Sequence, residues 1–349
     1  MNMLTELVDV VIGVDTHKYT HSAAVIDART GAVLDEHTVD ADPDGYVELV
    51  AVADRQAGSR AWAIEGTRGY GAGLARHLDS LGEQVVELDR PSRPARRNGA
   101  KSDPLDAVRA GREALARDRL AQPRASGQRA ALAVLLAARR SAVDGAGVAQ
   151  RQLHALVISA PEVLRGRFRG QATVAMITTA TRLRRHASWD LETTTYANAL
   201  RDLSLRIRAL RAEADTHEQA ITAIIKSWRP DLLDQQGIGP IVAATVLCAW
   251  SHTERCRNEA AFANLAGVAP IPASSGQTTR HRLNRRGDRQ LNRALHVIAI
   301  QRMRHDPATS AYVERRRAQG KTDREIRRCL KRYIARQLYR QLEHTLDAP

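Results

Sequence analysis

Residues 10–15 read Val-Val-Ile-Gly-Val-Asp, and residues 61–65 read Ala-Trp-Ala-Ile-Glu. Each is a short apolar run ending in a carboxylate, the pattern of a buried strand with an acid at its C-terminal end. Working outward from the first run, 21–27 and 32–39 read as two more strands with Gly31 in the turn between them. Helical spacing follows over 44–56 at Tyr46, Leu49, Val50 and Ala53. After the second run, 70–81 reads as a helix stopped by Gly82, and 84–88 as a fifth strand. A basic stretch, 90–101, leads to a helix that begins near Asp103. The order βββαβαβα predicts a mixed sheet with helices packed on it.

From about residue 126 the pattern turns helical. Apolar positions recur over 128–158 (Leu132, Leu135, Leu136, Leu153) and over 191–225 (Leu200, Leu203, Ile207, Ile221). This predicts a long antiparallel helical pair, either a coiled coil or part of an ordinary bundle. Further helices are expected over 241–250, 258–266, 288–304 and 322–343, with a Gly/Pro/Ser/Thr/Arg-rich loop over 267–286. Gly237 and Gly239 precede the helix at 241 and would expose backbone amides to a phosphate, in the manner of a helix-hairpin-helix element. The expected domains are 1–122, 123–228 and 229–349.

The 349 residues carry 53 Lys and Arg against 39 Asp and Glu, a formal net charge of +14. The charge is segregated: residues 1–89 are net −10, 90–226 net +13, 227–275 net −1 and 276–349 net +12. A solvated arginine-rich surface would not divide in this way, so a polyanionic partner is indicated. Arg96, Arg97 and Lys101 in the first basic stretch, and Arg280, Arg282, Arg285 and Arg286 in the second, are candidate phosphate contacts. Only 13 residues are aromatic, which argues against a base-stacking platform. Cys248, Cys256 and Cys329 are too few for a disulfide framework or a zinc cluster. No apolar run reaches the length of a membrane span and no signal peptide is visible, so a cytoplasmic, nucleoid-associated location without membrane contact is expected.

Four acids stand out within the acidic portion and its edge: Asp15, Glu65, Asp103 and Asp106. Asp103 precedes Pro104 and suits a helix cap, and Asp106 lies three residues on, along the same face. Four converging carboxylates repel one another unless a hard cation neutralises them, which points to Mg²⁺ or Mn²⁺. An Asp on the first strand, a Glu on the fourth and two Asp on the last helix resemble the arrangement of RNase H-like nucleases, RuvC-type resolvases in particular.

The chain resembles the DEDD insertion-sequence transposases, the bridge-RNA-guided recombinases. The resemblance is carried by Ile-Gly-Val-Asp-Thr-His-Lys (12–18), Ala-Ile-Glu-Gly-Thr-Arg-Gly-Tyr (63–70) and Lys-Ser-Asp-Pro-Leu-Asp-Ala (101–107). It continues through Gly-Ile-Gly-Pro (237–240), Leu-Ala-Gly-Val-Ala-Pro (265–270), Ser-Ser-Gly (274–276) and Arg-Arg-Gly-Asp-Arg-Gln-Leu-Asn-Arg-Ala-Leu (285–295). The resemblance implies a RuvC-like domain with Asp15, Glu65, Asp103 and Asp106 as catalytic metal ligands. It implies a coiled-coil connector, and a C-terminal transposase domain whose nucleophile is Ser275, with Ser274 adjacent. It further implies DNA and a noncoding guide RNA as partners, and a dimer or tetramer. From the residues alone two other readings stand: a RuvC-like nuclease that cuts by water attack, and a basic nucleic-acid-binding protein with a degenerate nuclease fold.

Overall fold

The computed structural model describes residues 3–88, 103–273, 281–282, 284 and 286–344. The chain divides into two compact units, residues 1–125 and 126–349.

In the first unit, β1 (Val10–Thr16), β2 (Thr20–Asp27) and β3 (Val33–Asp40) form an antiparallel meander. Helix α1 (Pro43–Ala53) leads to β4 (Arg60–Glu65), α2 (Ala72–Ser80), β5 (Val85–Leu88) and α3 (Asp103–Ala116). The strand order is β3-β2-β1-β4-β5, with β1, β4 and β5 parallel. The expected element order is therefore present in this unit, and this mixed five-stranded sheet with its helices fits an RNase H-like α/β fold.

The side-chain period of two divides the core. Val10, Ile12, Val14, Trp62 and Ile64 pack with Leu49, Leu74 and Leu78 of α1 and α2. Val11, Ala61, Ala63, Val86 and Leu88 pack with Ala107, Val108, Ala110 and Ala114 of α3. The alternation explains why β1 and β4 read as continuous apolar runs, since both faces are covered. At the N-terminal end of β4, Glu83 accepts from Arg60 Nε (2.9 Å) and from the indole of the fully buried Trp62 (2.9 Å), and Asp54 accepts from Arg60 (2.6 Å).

The second unit opens with an antiparallel hairpin of α4 (Gly127–Ser159) and α7 (Leu191–Trp228). Its direction is set by the pairs Arg139 with Glu218, Gln150 with Arg211 and Ser159 with Tyr196. Two helices beyond the expected set, α5 (Glu162–Phe168) and α6 (Thr173–Thr181), close its tip through Leu164, Phe168 and Ile177. At its base, Leu132, Ile221 and Ile225 enter the core of α8 (Pro240–Trp250), α9 (Glu259–Leu265), α10 (Arg289–His305), α11 (Pro307–Ala318) and α12 (Asp323–His344). That shared core is why the hairpin and the C-terminal helices form one unit. Helix α11 is likewise additional to the expected set. The expected 267–286 loop contains a short antiparallel pair, β6 (Ile271–Pro272) and β7 (His281–Arg282). Among the described residues no helix is long and apolar enough to cross a membrane, and the three cysteines are free.

Candidate metal centre

The alternation that builds the sheet also aims its acids. Asp15 shares the parity of Val11 and Gly13, and Glu65 that of Ala61 and Ala63, so both belong to the face that α3 covers. Asp15 and Glu65 each directly follow the last paired residues, Val14 and Ile64, at the C-terminal ends of adjacent parallel strands. Thr16 Oγ1 closes that end by donating to the Glu65 carbonyl at 2.9 Å.

Helix α3 lies unusually close to β1 because two glycines face each other. A Cβ on Gly13 would stand 2.2 Å from the Ala107 carbonyl oxygen and 2.5 Å from the Gly111 nitrogen, and one on Gly111 would meet Ile26 Cδ1 at 2.5 Å. This backbone-to-backbone approach brings the first turn of α3, with Asp103 and Asp106, to the strand ends.

The result is a cluster of Asp15, His17 and Asp103, each offering one donor atom, with those atoms within 4.8 Å of one another. His17 Nδ1 stands 3.6 Å from Asp15 Oδ2, and His17 Nε2 stands 3.9 Å from Asp103 Oδ1. Asp15 is only 9% exposed, at the inner end of the cluster. Two carboxylates and an imidazole at this separation are a donor set that fits a divalent cation, Mg²⁺ or Mn²⁺, with the nitrogen favouring Mn²⁺. Glu65 and Asp106 flank the cluster rather than joining it: Asp106 accepts from Arg109 at 2.7 Å, one helical turn along α3. His17 was not singled out from sequence. Its signal is the Asp-x-His spacing at a strand end, which returns the imidazole to the face of Asp15.

The other candidate residues fall elsewhere. Gly237 has φ +85°, and a Cβ there would press on Gln301 Cβ at 3.1 Å and the Ile298 carbonyl at 3.3 Å, so close packing against α10 accounts for this glycine. Gly239 is the N-cap of α8. The groove beside them is lined by Leu233, Ile241, Val242 and Val297, with Glu218 at its edge. Arg282 in β7 and Arg286 are exposed. Ser275, its neighbour Ser274, and Arg96, Arg97, Lys101, Arg280 and Arg285 lie outside the described residues.

The segment that carries Ser275 is fixed at both feet. Asp288 N donates to the Leu265 carbonyl at 2.6 Å, and a Cβ on Gly287 would stand 2.2 Å from the Gly267 nitrogen. Asn284 Nδ2 donates to Asn264 Oδ1 at 2.8 Å, and Asn292 Nδ2 to the Ala266 carbonyl at 2.7 Å.

Residues 12–161 match a sequence profile of transposases of the DEDD IS110 type, and residues 231–314 match the profile of the Transposase IS116/IS110/IS902 family. The chain is similar to the uncharacterized 43.6 kDa protein of insertion element IS110 from Streptomyces coelicolor, with 32% identity over 123 residues, 34% of this chain and 30% of that protein. It is also similar to the uncharacterized 42 kDa protein of insertion element IS900 from Mycobacterium paratuberculosis, with 35% identity over 92 residues, 26% of this chain and 23% of that protein. The matched stretches thus span less than a third of either relative. Asp15, Glu65, Asp103 and Asp106 fall within the first profile and Ser275 within the second. With both profiles matched in order along one chain, the chain belongs to the DEDD-type IS110 transposase family.

Proposed function

We propose that the protein is an insertion-sequence transposase that cuts and rejoins DNA, guided by a noncoding bridge RNA and acting as a homo-oligomer. The observation that carries this reading is the meeting of Asp15 on β1 with Asp103 on α3, atop a sheet of RNase H-like order. Asp15, Asp103 and His17 would hold the divalent cation, with Glu65 and Asp106 completing the acidic edge. When bound, the ion polarises a phosphoryl oxygen and lowers the pKa of a coordinated hydroxyl. The Ser275 hydroxyl attacks the phosphorus, forming a serine–DNA phosphodiester as the bond to the departing deoxyribose oxygen breaks and that oxygen takes a proton. Rejoining reverses the exchange with a new hydroxyl. One phosphodiester replaces another at each step, so no nucleotide hydrolysis is required, in keeping with the lack of a Walker loop in the sequence. Arg280, Arg282, Arg285 and Arg286 would grip the phosphates on either side.

The reading is tested with the full chain, cognate RNA and element-end DNA in Mg²⁺. Asp15→Asn is expected to abolish strand cleavage while binding stays within about twofold of wild type, because the lost charge belongs to an acidic cluster and not to a phosphate contact. Denaturing gels are expected to show a protein–DNA adduct that Ser275→Ala lacks. An adduct that persists in Ser275→Ala moves the nucleophile to Ser274. Cleavage with no adduct replaces the recombinase with a nuclease that uses water. Wild-type turnover by Asp15→Asn overturns the metal centre itself.

A further inference from the structure

Helix α12 carries two sets of cations that the fold treats differently. Arg332, Arg336 and Arg340, spaced at i, i+4 and i+8, converge on the single carboxylate of Glu259 at 3.6, 2.8 and 3.4 Å. Arg327, Arg328 and Lys331 make no ion pair among the described residues. The nearest acids along the chain are already engaged: Glu325 accepts from Thr322 N at 2.9 Å and Thr322 Oγ1 at 2.8 Å, and Asp323 pairs with Arg317 at 2.9 Å.

Lys331 is held instead by an amide. Its Nζ donates to Asn292 Oδ1 at 2.9 Å. The orientation of that amide is fixed, because Asn292 Nδ2 is committed to the Ala266 carbonyl at the foot of the 267–287 segment. Asn292 lies on α10 one turn before His296 and beside the exposed Arg293 and Arg289, so the α10 face that meets Lys331 is basic as well. Burial, then Arg328 and Arg327, holds the Lys331 ammonium below the ordinary lysine range. Burial, then Lys331 and Arg327, lowers His296 in turn. A half-buried ammonium oriented by a neutral oxygen and crowded by guanidinium groups is poorly stabilised until an anion arrives.

We infer that the junction of α10 and α12 at Lys331, with Asn292, Arg327 and Arg328 around it, is a binding site for a backbone phosphodiester of nucleic acid. The spread of cations along two helices suits repeating phosphates rather than a lone anion. The Glu259 set serves as the contrast within the same helix: three arginines already supplied with a carboxylate. The proposal rests on the reading of the chain as a nucleic-acid enzyme, but it concerns binding and needs no cleavage.

The test is lysine footprinting of the full wild-type chain. The protein is treated with an amine-acylating ester alone, with a 30-base-pair DNA duplex, or with a single-stranded RNA of equal length, and the lysine-bearing peptides are quantified by mass spectrometry. Lys331 is expected to be protected at least fivefold by one or both nucleic acids, with Lys321 changing less than twofold. Protection by DNA alone, RNA alone or both supports the site and assigns the source of the phosphate. In parallel, Lys331→Gln keeps a donor for Asn292 and removes the charge. It is expected to weaken binding about five- to tenfold and to lower the slope of log affinity against log salt by about 0.9 on duplex DNA, with Lys331→Arg restoring both. Arg324→Gln, an equal charge loss on the same helix, is the reference. Equal protection of Lys321 and Lys331, or a Lys331→Gln loss no larger than that of Arg324→Gln, overturns the site. Either result leaves the carboxylate centre to be judged by its own cleavage assay.

Discussion

At Glu83 one carboxylate serves two donors, the Arg60 guanidinium and the Trp62 indole; without it Arg60 keeps only Asp54, and the indole loses its acceptor. The Arg60 hydrogen bond, followed by that of Trp62 and the charge of Arg60, holds Glu83 below the ordinary glutamate value of 4.5, while burial opposes them. A carboxylate depressed in the folded state contributes stability that is fully present above its unfolded pKa. That contribution is lost as pH falls through the folded value. Acid unfolding of the wild type is therefore expected to include a loss that begins below about pH 4.5 and is absent from Glu83→Gln. Both partners are about 15% exposed, so removing Glu83 leaves a poorly solvated guanidinium with only the exposed Asp54 as its acid, and a buried indole without its acceptor. Glu83→Ala is expected to cost about 3 kcal/mol at pH 7 in urea unfolding. A change under about 0.5 kcal/mol would place the pair among ordinary surface ion pairs. The same strand ends in Glu65, so this pairing and the candidate metal centre lie toward opposite ends of β4. Sequence made Asp15 and Glu65 visible because each terminates an apolar run. It hid His17, which lies beyond the run, where only the two-residue spacing from Asp15 marks its face.

At the level of elements, the centre depends on how closely α3 approaches β1. Gly13→Ala places a methyl against the Ala107 carbonyl and the Gly111 backbone, and rigid backbone on both sides leaves it little room to relax. The expected cost is about 1–3 kcal/mol by chemical denaturation. Mn²⁺ affinity measured by titration should fall at least tenfold, because Asp103 is carried away from Asp15. A Gly13→Ala protein with wild-type Mn²⁺ affinity would show that the acids are positioned independently of that contact. The helices that sequence left out have a common cause. Helices α5 and α6 are short, with Leu164, Phe168, Ile177 and Ala180 as their buried positions, too few to register as a period. Helix α11 buries Val313 alone within its span, so its composition reads as polar loop. Strands β1, β2 and β4 were legible because they are buried along nearly their whole length, whereas β3 buries Val39 alone and is marked chiefly by the Gly31 turn before it.

On the scale of the molecule, the acidic residues gather toward the N-terminus and the basic ones beyond it: 1–89 are net −10 and 276–349 net +12. That separation suits a division of labour in which one part manages cations and the other manages phosphates. If the carboxylates of one protomer serve Ser275 of another, a mixture of Ser275→Ala and Asp15→Asn proteins recovers cleavage that neither has alone. Random pairing into dimers is expected to restore about a quarter of the wild-type sites. Mixtures no more active than the separate variants would place the acids and the serine of each site in one chain. Segregation of charge could be counted from the sequence. The shared core at the hairpin base could not, since Leu132, Ile221 and Ile225 look like any other positions of a long helical period until their partners in α8 and α10 are known.

The contact between Gly267 and Gly287 has an evolutionary corollary. The two feet are tied by backbone packing and by the Asp288–Leu265 bond, and Asn284 adds a tie to Asn264 of α9, so α9 and α10 are held together independently of the residues between Pro272 and His281. Doubling such a closed segment adds only about 0.6 kcal/mol of closure entropy. Changes of length between Pro272 and His281 are therefore expected to be tolerated while α9 and α10 stay where they are.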